Sequence, residues 1–308
     1  MKDHNFVSAV IYNNNHGSSA GKFLTTLDGY MNSRFKNYEI IVVDDFSSDN
    51  SLALVKETAK AINGNVIIIK LPWYHGTEAA MIAGVNLSIG DYVFEFDTSD
   101  IDYNIELLDD LYKRLQSGFD VVSASPASKG SFFSKAFYYL FRKYSRQRIY
   151  LQSEYVRIIS RRAINRFNEQ MFSFKYRKVN YQLTGFPVTS IKYDPTGSHS
   201  LNRNSFRERL YLGFEVMLMY TRMGEKLAVN LSFLFIFISI VLGLYSLLMF
   251  ARGIAIQGWT TTMLFLSFGF SAIFSLMGIL SKYLSMVLFE VQKRPSFHTE
   301  NIERINKN

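Results

Sequence analysis

The sequence predicts an α/β fold. A mostly parallel sheet with helices on both faces is expected first, then an amphipathic interfacial helix, then a C-terminal two-helix transmembrane hairpin. Three observations carry this reading. Short β-branched runs alternate with helix-length stretches up to about residue 125. A segment at 129–150 is aromatic and basic, with no acidic residue. Two long runs near the C-terminal end, 229–250 and 259–281, contain no charged residue.

The elements follow in order. VSAVIY (7–12) is a strand, and its unbroken apolar character suits burial on both faces. Residues 18–32 are helix-like. YEIIVVDD (38–45) is a strand ending in two carboxylates, and SLALVKETAKAI (51–62) a helix. NVIIIKL (65–71) is a strand and GTEAAMIAGVNLS (76–88) a helix. DYVFEFD (91–97) is a strand ending in a further carboxylate, IELLDDLYKRL (105–115) a helix and DVVSAS (120–125) a strand. This rhythm places ligands beyond the carboxyl ends of the strands, where Asp44, Asp45 and Asp97 gather.

KGSFFSKAFYYLFRKYSRQRIY (129–150) has six basic residues, and Phe133, Phe137, Leu140, Phe141 and Tyr144 recur at helical spacing. Such a helix either lies on an anionic membrane or packs on a core with its basic side in water. The run 229–250 would span about 33 Å as a helix, enough for a bilayer core. With 259–281 and the short link ARGIAIQG it reads as an antiparallel hairpin; two buried helices of a soluble protein are the alternative. Arg203, Arg207, Arg209, Arg222 and Lys226 precede the hairpin, and Lys282, Lys293 and Arg294 follow it, against Arg252 alone in the link. That bias puts residues 1–226 on the cytoplasmic side, with 227–308 as hairpin and cytoplasmic tail. The N-terminal MKDHNF lacks the apolar core of a signal peptide.

Composition narrows the chemistry. The 308 residues contain no cysteine, which excludes a disulfide scaffold, a Cys-ligated zinc site and a Cys nucleophile. The formal charge of +8 points to an anionic partner: nucleic acid, a phosphorylated substrate or a membrane surface. No RNA-recognition, KH-like or zinc-finger pattern is present, so nucleic acid is not expected. No dinucleotide fingerprint, Walker loop, nucleophile elbow or HExxH motif occurs, and the five histidines are scattered. What remains is a set of strand-end carboxylates. An aspartate there can accept from a base or ribose hydroxyl, and it can hold Mg2+ or Mn2+ against a diphosphate. Each carboxylate taken singly also suits a turn or helix cap, the preferred reading for Asp49.

The ordered set Tyr12-Asn13, Val43-Asp44-Asp45-x-Ser47-x-Asp49, Gly76-x-Glu78-Ala79-Ala80-x-x-Ala83-Gly84, Gly90-Asp91-Tyr92 and Asp97 resembles the family-2 inverting glycosyltransferases, which have the GT-A fold. The second half is similar to their polyprenyl-phosphate branch with a two-helix anchor, which includes dolichol-phosphate mannose synthase-like proteins. Ser134 to Tyr144 looks like its amphipathic helix, Arg157-Ile158-Ile159-Ser160-Arg161 like its FRLLSR segment, and Glu290-Val291-Gln292-Lys293-Arg294-Pro295 like its closing motif.

The resemblance implies transfer of a sugar from a nucleotide sugar, a UDP-sugar foremost, to an undecaprenyl-type phosphate at the cytoplasmic face of a bacterial inner membrane. Anionic lipids suit the basic segment at 129–150, and the sequence is silent on oligomeric state, although the expected anchor offers a route to a homo-oligomer. Asp44 and Asp45 then sit by uracil and ribose, Tyr12 and Asn13 at the nucleotide wall, and Glu78 on the donor-pocket helix. Asp97 takes the metal or diphosphate role and Arg157 meets acceptor or diphosphate. Ser99 stands where the family has its second metal aspartate, leaving Asp100 or Asp102 to complete an Mg2+ or Mn2+ site with Asp97. Asn14-Asn15 replace a Glu-Glu pair. Gly197-Ser198-His199-Ser200-Leu201 lacks the family's lysine, a cation that Arg203 or His199 can replace. Two alternatives stay open: another lipid-linked acceptor, and a non-catalytic nucleotide-binding partner of a membrane complex.

Overall fold

The computed structural model describes residues 2–127, 132–145, 149, 151–170, 176–196, 258–291 and 297–305, with separate positions between 213 and 252. It divides into two units. Met1–Tyr139, Ile149–Phe206 and Pro295–Asn308 form the first, and Leu140–Arg148 with Arg207–Arg294 the second.

The first unit is built on β1 (Asp3–Asn13), α1 (Ser18–Arg34), β2 (Phe35–Asp44), α2 (Ser51–Ala61), β3 (Asn65–Lys70), α3 (Thr77–Leu87), β4 (Tyr92–Phe96), α4 (Leu107–Gln116) and β5 (Val121–Pro126). The alternation expected from the sequence is present, because β1 to β5 are buried on both faces and so read as continuous apolar runs. Next come α5 (Phe132–Tyr144), which crosses into the second unit, β6 (Val156–Ser160), α6 (Arg161–Glu169), α7 (Arg177–Leu183) and β7 (Val188–Tyr193). The Ser160 hydroxyl caps α6 by accepting from the Ala163 amide at 3.3 Å.

The eight strands form one sheet in the order β7-β5-β6-β4-β1-β2-β3-β8, where β8 is Asn301–Ile305. The sheet is mixed. β1 is parallel to β2 and β4, β2 to β3 and β5 to β7, whereas β6 is antiparallel to both β4 and β5, and β8 to β3. Since β1 pairs with β2 on one side and β4 on the other, the strand order reverses there, the position at which such sheets bind ligands beyond the carboxyl ends of their strands. One apolar layer joins the sheet to α1, α2 and α4; the other joins it to α3, α6 and α7. On the second face α3 approaches closely: a Cβ on Gly84 would stand 2.3 Å from Val10 Cγ1 and 2.8 Å from Val43 Cγ2. Gly84→Ala is therefore expected to destabilise the protein by about 1–3 kcal/mol in urea unfolding through overpacking.

The C-terminal anchor expected from the sequence is corrected by the structure. Among the described residues no helix is long and apolar enough to cross a membrane. Of the first expected span, 229–250, 12 of the 22 residues lie outside the described residues. The second becomes part of α8 (Trp259–Val291). Gly269, Ser271, Ser275, Gly278 and Ser281 lie among its apolar residues, and Lys282 follows directly. The transmembrane hairpin and the multi-pass placement in a bacterial inner membrane fall with this finding. So does the anchored branch within the family resemblance.

Candidate active site

Parallel register brings the nominated residues of β1 and β2 together. Asn13 is the partner of Asp44, and Tyr12 of Val43. All of Tyr12, Asn13, Asp44 and Asp45 are buried at the carboxyl ends of their strands. The Asn13 side-chain amide donates to Asp44 Oδ1 at 2.7 Å, Ser47 Oγ at 3.1 Å and Ser51 Oγ at 3.2 Å. Its own Oδ1 is buried with no hydrogen-bond partner among the described residues. Asp44 is thus a node that shapes the loop after β2. Asn15, absent from the nominated set, supports that loop by accepting from the amides of Ser48 at 2.8 Å and Asp49 at 3.2 Å. Within the loop, Phe46 is exposed and has φ +58°, a conformation that aromatic residues seldom adopt and that marks local strain.

Asp45 ties this loop to the turn before α3. Its Oδ1 accepts from the His75 amide at 2.7 Å, and its Oδ2 from the Gly76 amide at 2.8 Å and the Tyr12 hydroxyl at 3.1 Å. Gly76 has φ +83°, where a side chain would be strained. Burial raises the Asp45 pKa, and these three donors only partly offset it. Burial and the Asp45 charge together push the Tyr12 phenol far above its ordinary range, so it remains a donor.

A second group lies at the β4–β6 pair. Glu95 on β4 and Arg157 on β6 are cross-strand partners, both buried. Arg157 donates to Glu95 Oε2 at 2.7 Å and to Asp97 Oδ2 at 2.9 Å. Arg177, at the start of α7, donates to Glu95, to Asp97 Oδ1 at 2.7 Å and to Glu78 Oε2 at 3.1 Å; its amide also reaches Glu78 at 2.8 Å. The Tyr181 hydroxyl donates to Glu95 Oε1 at 2.5 Å. Carboxylates and guanidiniums thus pair in one network, except that Arg157 Nε has no hydrogen-bond partner among the described residues and stands 3.8 Å from Glu154 Oε2. Burial alone would raise the Asp97 pKa, but Arg157, Arg177 and Lys178 outweigh it and hold that carboxyl far below the usual range. Burial lowers the Arg157 pKa, yet Asp97 and Glu95 reverse this and keep it charged.

Arg177, Glu95, Tyr181 and His75 were not among the nominated residues. Glu95 had a legible signal, a charge inside the apolar strand YVFEF, which burial obliges to find a cation. Of the residues nominated for a divalent cation, Asp97 spends both oxygens on guanidiniums. Asp102 is buried and accepts from the Tyr193 hydroxyl at 2.8 Å, and Asp100 stands 3.6 Å from His16 Nδ1. Among the described residues no three His, Cys, Asp or Glu side chains are grouped to hold a metal ion. Ser99 is buried, and its hydroxyl has no hydrogen-bond partner among the described residues. Arg203, the 197–201 segment and most of the closing motif lie outside the described residues.

Comparison with known proteins places this site in a family. Residues 9–181 match the family model described as Glycosyl transferase family 2. An undecaprenyl-phosphate 4-deoxy-4-formamido-L-arabinose transferase of Edwardsiella ictaluri is 34% identical over 117 residues, covering 38% of this chain but only 36% of that protein. The protein CsbB of Bacillus subtilis is 23% identical over 98% of this chain and 93% of its own length. Among solved structures, glucosyl-3-phosphoglycerate synthase from Mycobacterium tuberculosis, in complex with Mn2+, UDP and phosphoglyceric acid, superposes with a TM-score of 0.51 at 16% identity. That match covers 70% of this chain and 76% of that one, a likeness of fold. The matched span runs from β1 to Tyr181 and holds both the β1–β2 carboxylates and the guanidinium network: the chain belongs to glycosyl transferase family 2 and is a nucleotide-sugar-dependent glycosyltransferase.

Proposed function

We propose that the chain transfers a sugar from a UDP-sugar to a polyprenyl phosphate, with inversion at the anomeric carbon. The observation that carries the donor half is the buried cluster of Tyr12, Asn13, Asp44 and Asp45 at the point where strand order reverses. In this reading the base and ribose lie along that cluster. The turn held by Asp45 and the start of α3, with Glu78, wall the donor pocket, while Ser99 flanks the diphosphate. The acceptor half draws support from the undecaprenyl-phosphate transferase of Edwardsiella ictaluri, which aligns with part of this chain.

The chemistry asks little of the protein. A phosphate oxygen of the acceptor is already anionic near neutral pH and needs no general base. It forms the new bond to the anomeric carbon as the bond to the diphosphate breaks, and UDP leaves with the electron pair. Catalysis is then positioning plus electrostatic stabilisation of the leaving group. Arg157 supplies fixed positive charge at the end of β4, and Asp97 holds that guanidinium in place. No step is assigned to a divalent cation. The Mn2+ of the mycobacterial complex belongs to that protein.

The test is direct. Purified full-length protein is incubated with a panel of radiolabelled UDP-sugars and undecaprenyl phosphate, and label is followed into the organic phase. One donor is expected to yield a lipid-linked monosaccharide. Product on another acceptor but none on undecaprenyl phosphate would refute the acceptor half. No product from any donor, by folded protein, would refute the transfer itself.

A further inference from the structure

We infer that the C-terminal segment Phe297–Ile305 sets the shape of the donor-binding turn, with His75 and His298 as positioning residues. This rests on the reading above that Tyr12, Asp45 and the Gly76 turn receive the nucleotide.

The segment belongs to the first unit, although it follows the second in sequence. It is fastened at both ends. Phe297 packs on the apolar layer of α3, and Ile305 on the layer of α1 and α2. Between them β8 runs antiparallel to β3, with Asn301 opposite Lys70 and Ile302 opposite Ile69. The Glu300 amide donates to the Lys70 carbonyl at 2.8 Å, and the Lys70 ammonium meets Glu300 Oε1 at 3.0 Å. This fixes the backbone of the segment beside the β3–α3 turn.

There the His298 amide donates to His75 Nε2 at 3.2 Å. Because Nε2 accepts, the neutral ring carries its proton on Nδ1, which lies 2.6 Å from the Trp73 carbonyl and donates to it. Both ring nitrogens are therefore engaged. Trp73 stacks on the same ring at 5.0 Å between centroids and 13° between planes, and the His298 ring lies 5.3 Å from Trp73. The His75 and Gly76 amides are the two that hold the Asp45 carboxylate. A continuous path thus runs from His298 through His75 to Asp45 and the first turn of α3. Its effect is to preorganise the turn before donor arrives, which acts on donor affinity and not on the chemical step.

Three full-length variants separate this role from mere packing. His298→Pro removes the donating amide, His298→Ala keeps the amide and removes the ring, and His75→Phe keeps a ring and removes both nitrogens. UDP binding by calorimetry is expected to weaken about fivefold in H298P, the loss of one hydrogen bond, and at least as much in H75F, which loses two, and to stay within about twofold in H298A. KM for the donor is expected to rise in step, with kcat unchanged. Hydrogen exchange of ligand-free protein reads the same path without donor. The His75 and Gly76 amides are expected to exchange faster in H298P and H75F, while Ile302 stays protected and shows that β8 remains docked. Unchanged exchange at His75 and Gly76 in both variants overturns the inference, as does an H298A defect equal to that of H298P. A wild-type protein that binds no UDP would refute the donor reading alone, and the exchange result would still decide this one.

Discussion

Replacing Arg177 by methionine is expected to destabilise the protein more than any other single change in the first unit. Arg177 is fully buried and serves Glu78, Glu95 and Asp97 at once. Methionine fills similar volume but leaves three carboxylates with Arg157 as the remaining guanidinium of the network. Removing one partner of a buried ion pair costs about 3–5 kcal/mol, far more than the intact pair contributes, because the abandoned charge stays desolvated. For a unit of this size that corresponds to a fall of roughly 10 °C in Tm. The sign of the pH dependence provides a second check. Asp97 has a depressed pKa in the folded protein, so its stabilisation is fully present above the unfolded carboxyl value of about 3.9 and is lost as pH falls through the folded value. Without Arg177 the stranded carboxylates are relieved by protonation, so the deficit is larger at pH 7 than at pH 5. Circular dichroism melts at the two pH values measure both effects. A Tm within about 2 °C of wild type at pH 7 would show that the network is not shared as described.

Asp45→Ala is expected to abolish most nucleotide affinity while leaving the sheet intact. The side chain holds the His75 and Gly76 amides and the Tyr12 hydroxyl, so its loss frees two backbone donors at the pocket wall. Hydrogen bonds to a charged acceptor contribute about 1.5–3 kcal/mol each, and losing the anchor of the turn corresponds to roughly a hundredfold weaker UDP binding. Asp45→Asn keeps one acceptor oxygen and is expected to fall between. Because burial raises the Asp45 pKa, the wild-type carboxylate protonates at higher pH than an ordinary aspartate. Affinity for UDP is therefore expected to decline on acidification before pH reaches about 3.9, a dependence that D45A lacks. Calorimetric titrations across pH measure this. Equal UDP affinity in D45A and wild type would remove Asp45 from the donor site.

What the sequence reveals follows from which interactions are local. β1 to β5 and the helices between them are legible because strands buried on both faces have to be apolar throughout, and helices have to alternate with them to cover the sheet. Tyr12, Asn13, Asp44 and Asp45 are legible as polar residues at the ends of such runs. The antiparallel insertion of β6 is not, because VRIIS is short and carries an arginine whose partners are 60 and 62 residues away. Arg177 is harder still: nothing near it in sequence shows that it meets Glu78 at a separation of 99 residues. The same distance hides the partners of Asp97. Its strand-end position is visible in the chain, whereas the two guanidiniums that occupy its oxygens come from β6 and α7.

The antiparallel pairing of β8 on β3 bears on how copies of this protein avoid one another. Asn65–Lys70 is the sequence NVIIIK, β-branched and nearly uncharged, and an uncovered flank of that kind offers unpaired amides and carbonyls as a template for a neighbour's chain. The C-terminal strand covers it with NIERI, turning Glu303 and Arg304 into the outermost row. Deleting residues 297–308 would therefore do more than loosen a turn: it would convert a guarded border into a nucleus for self-association.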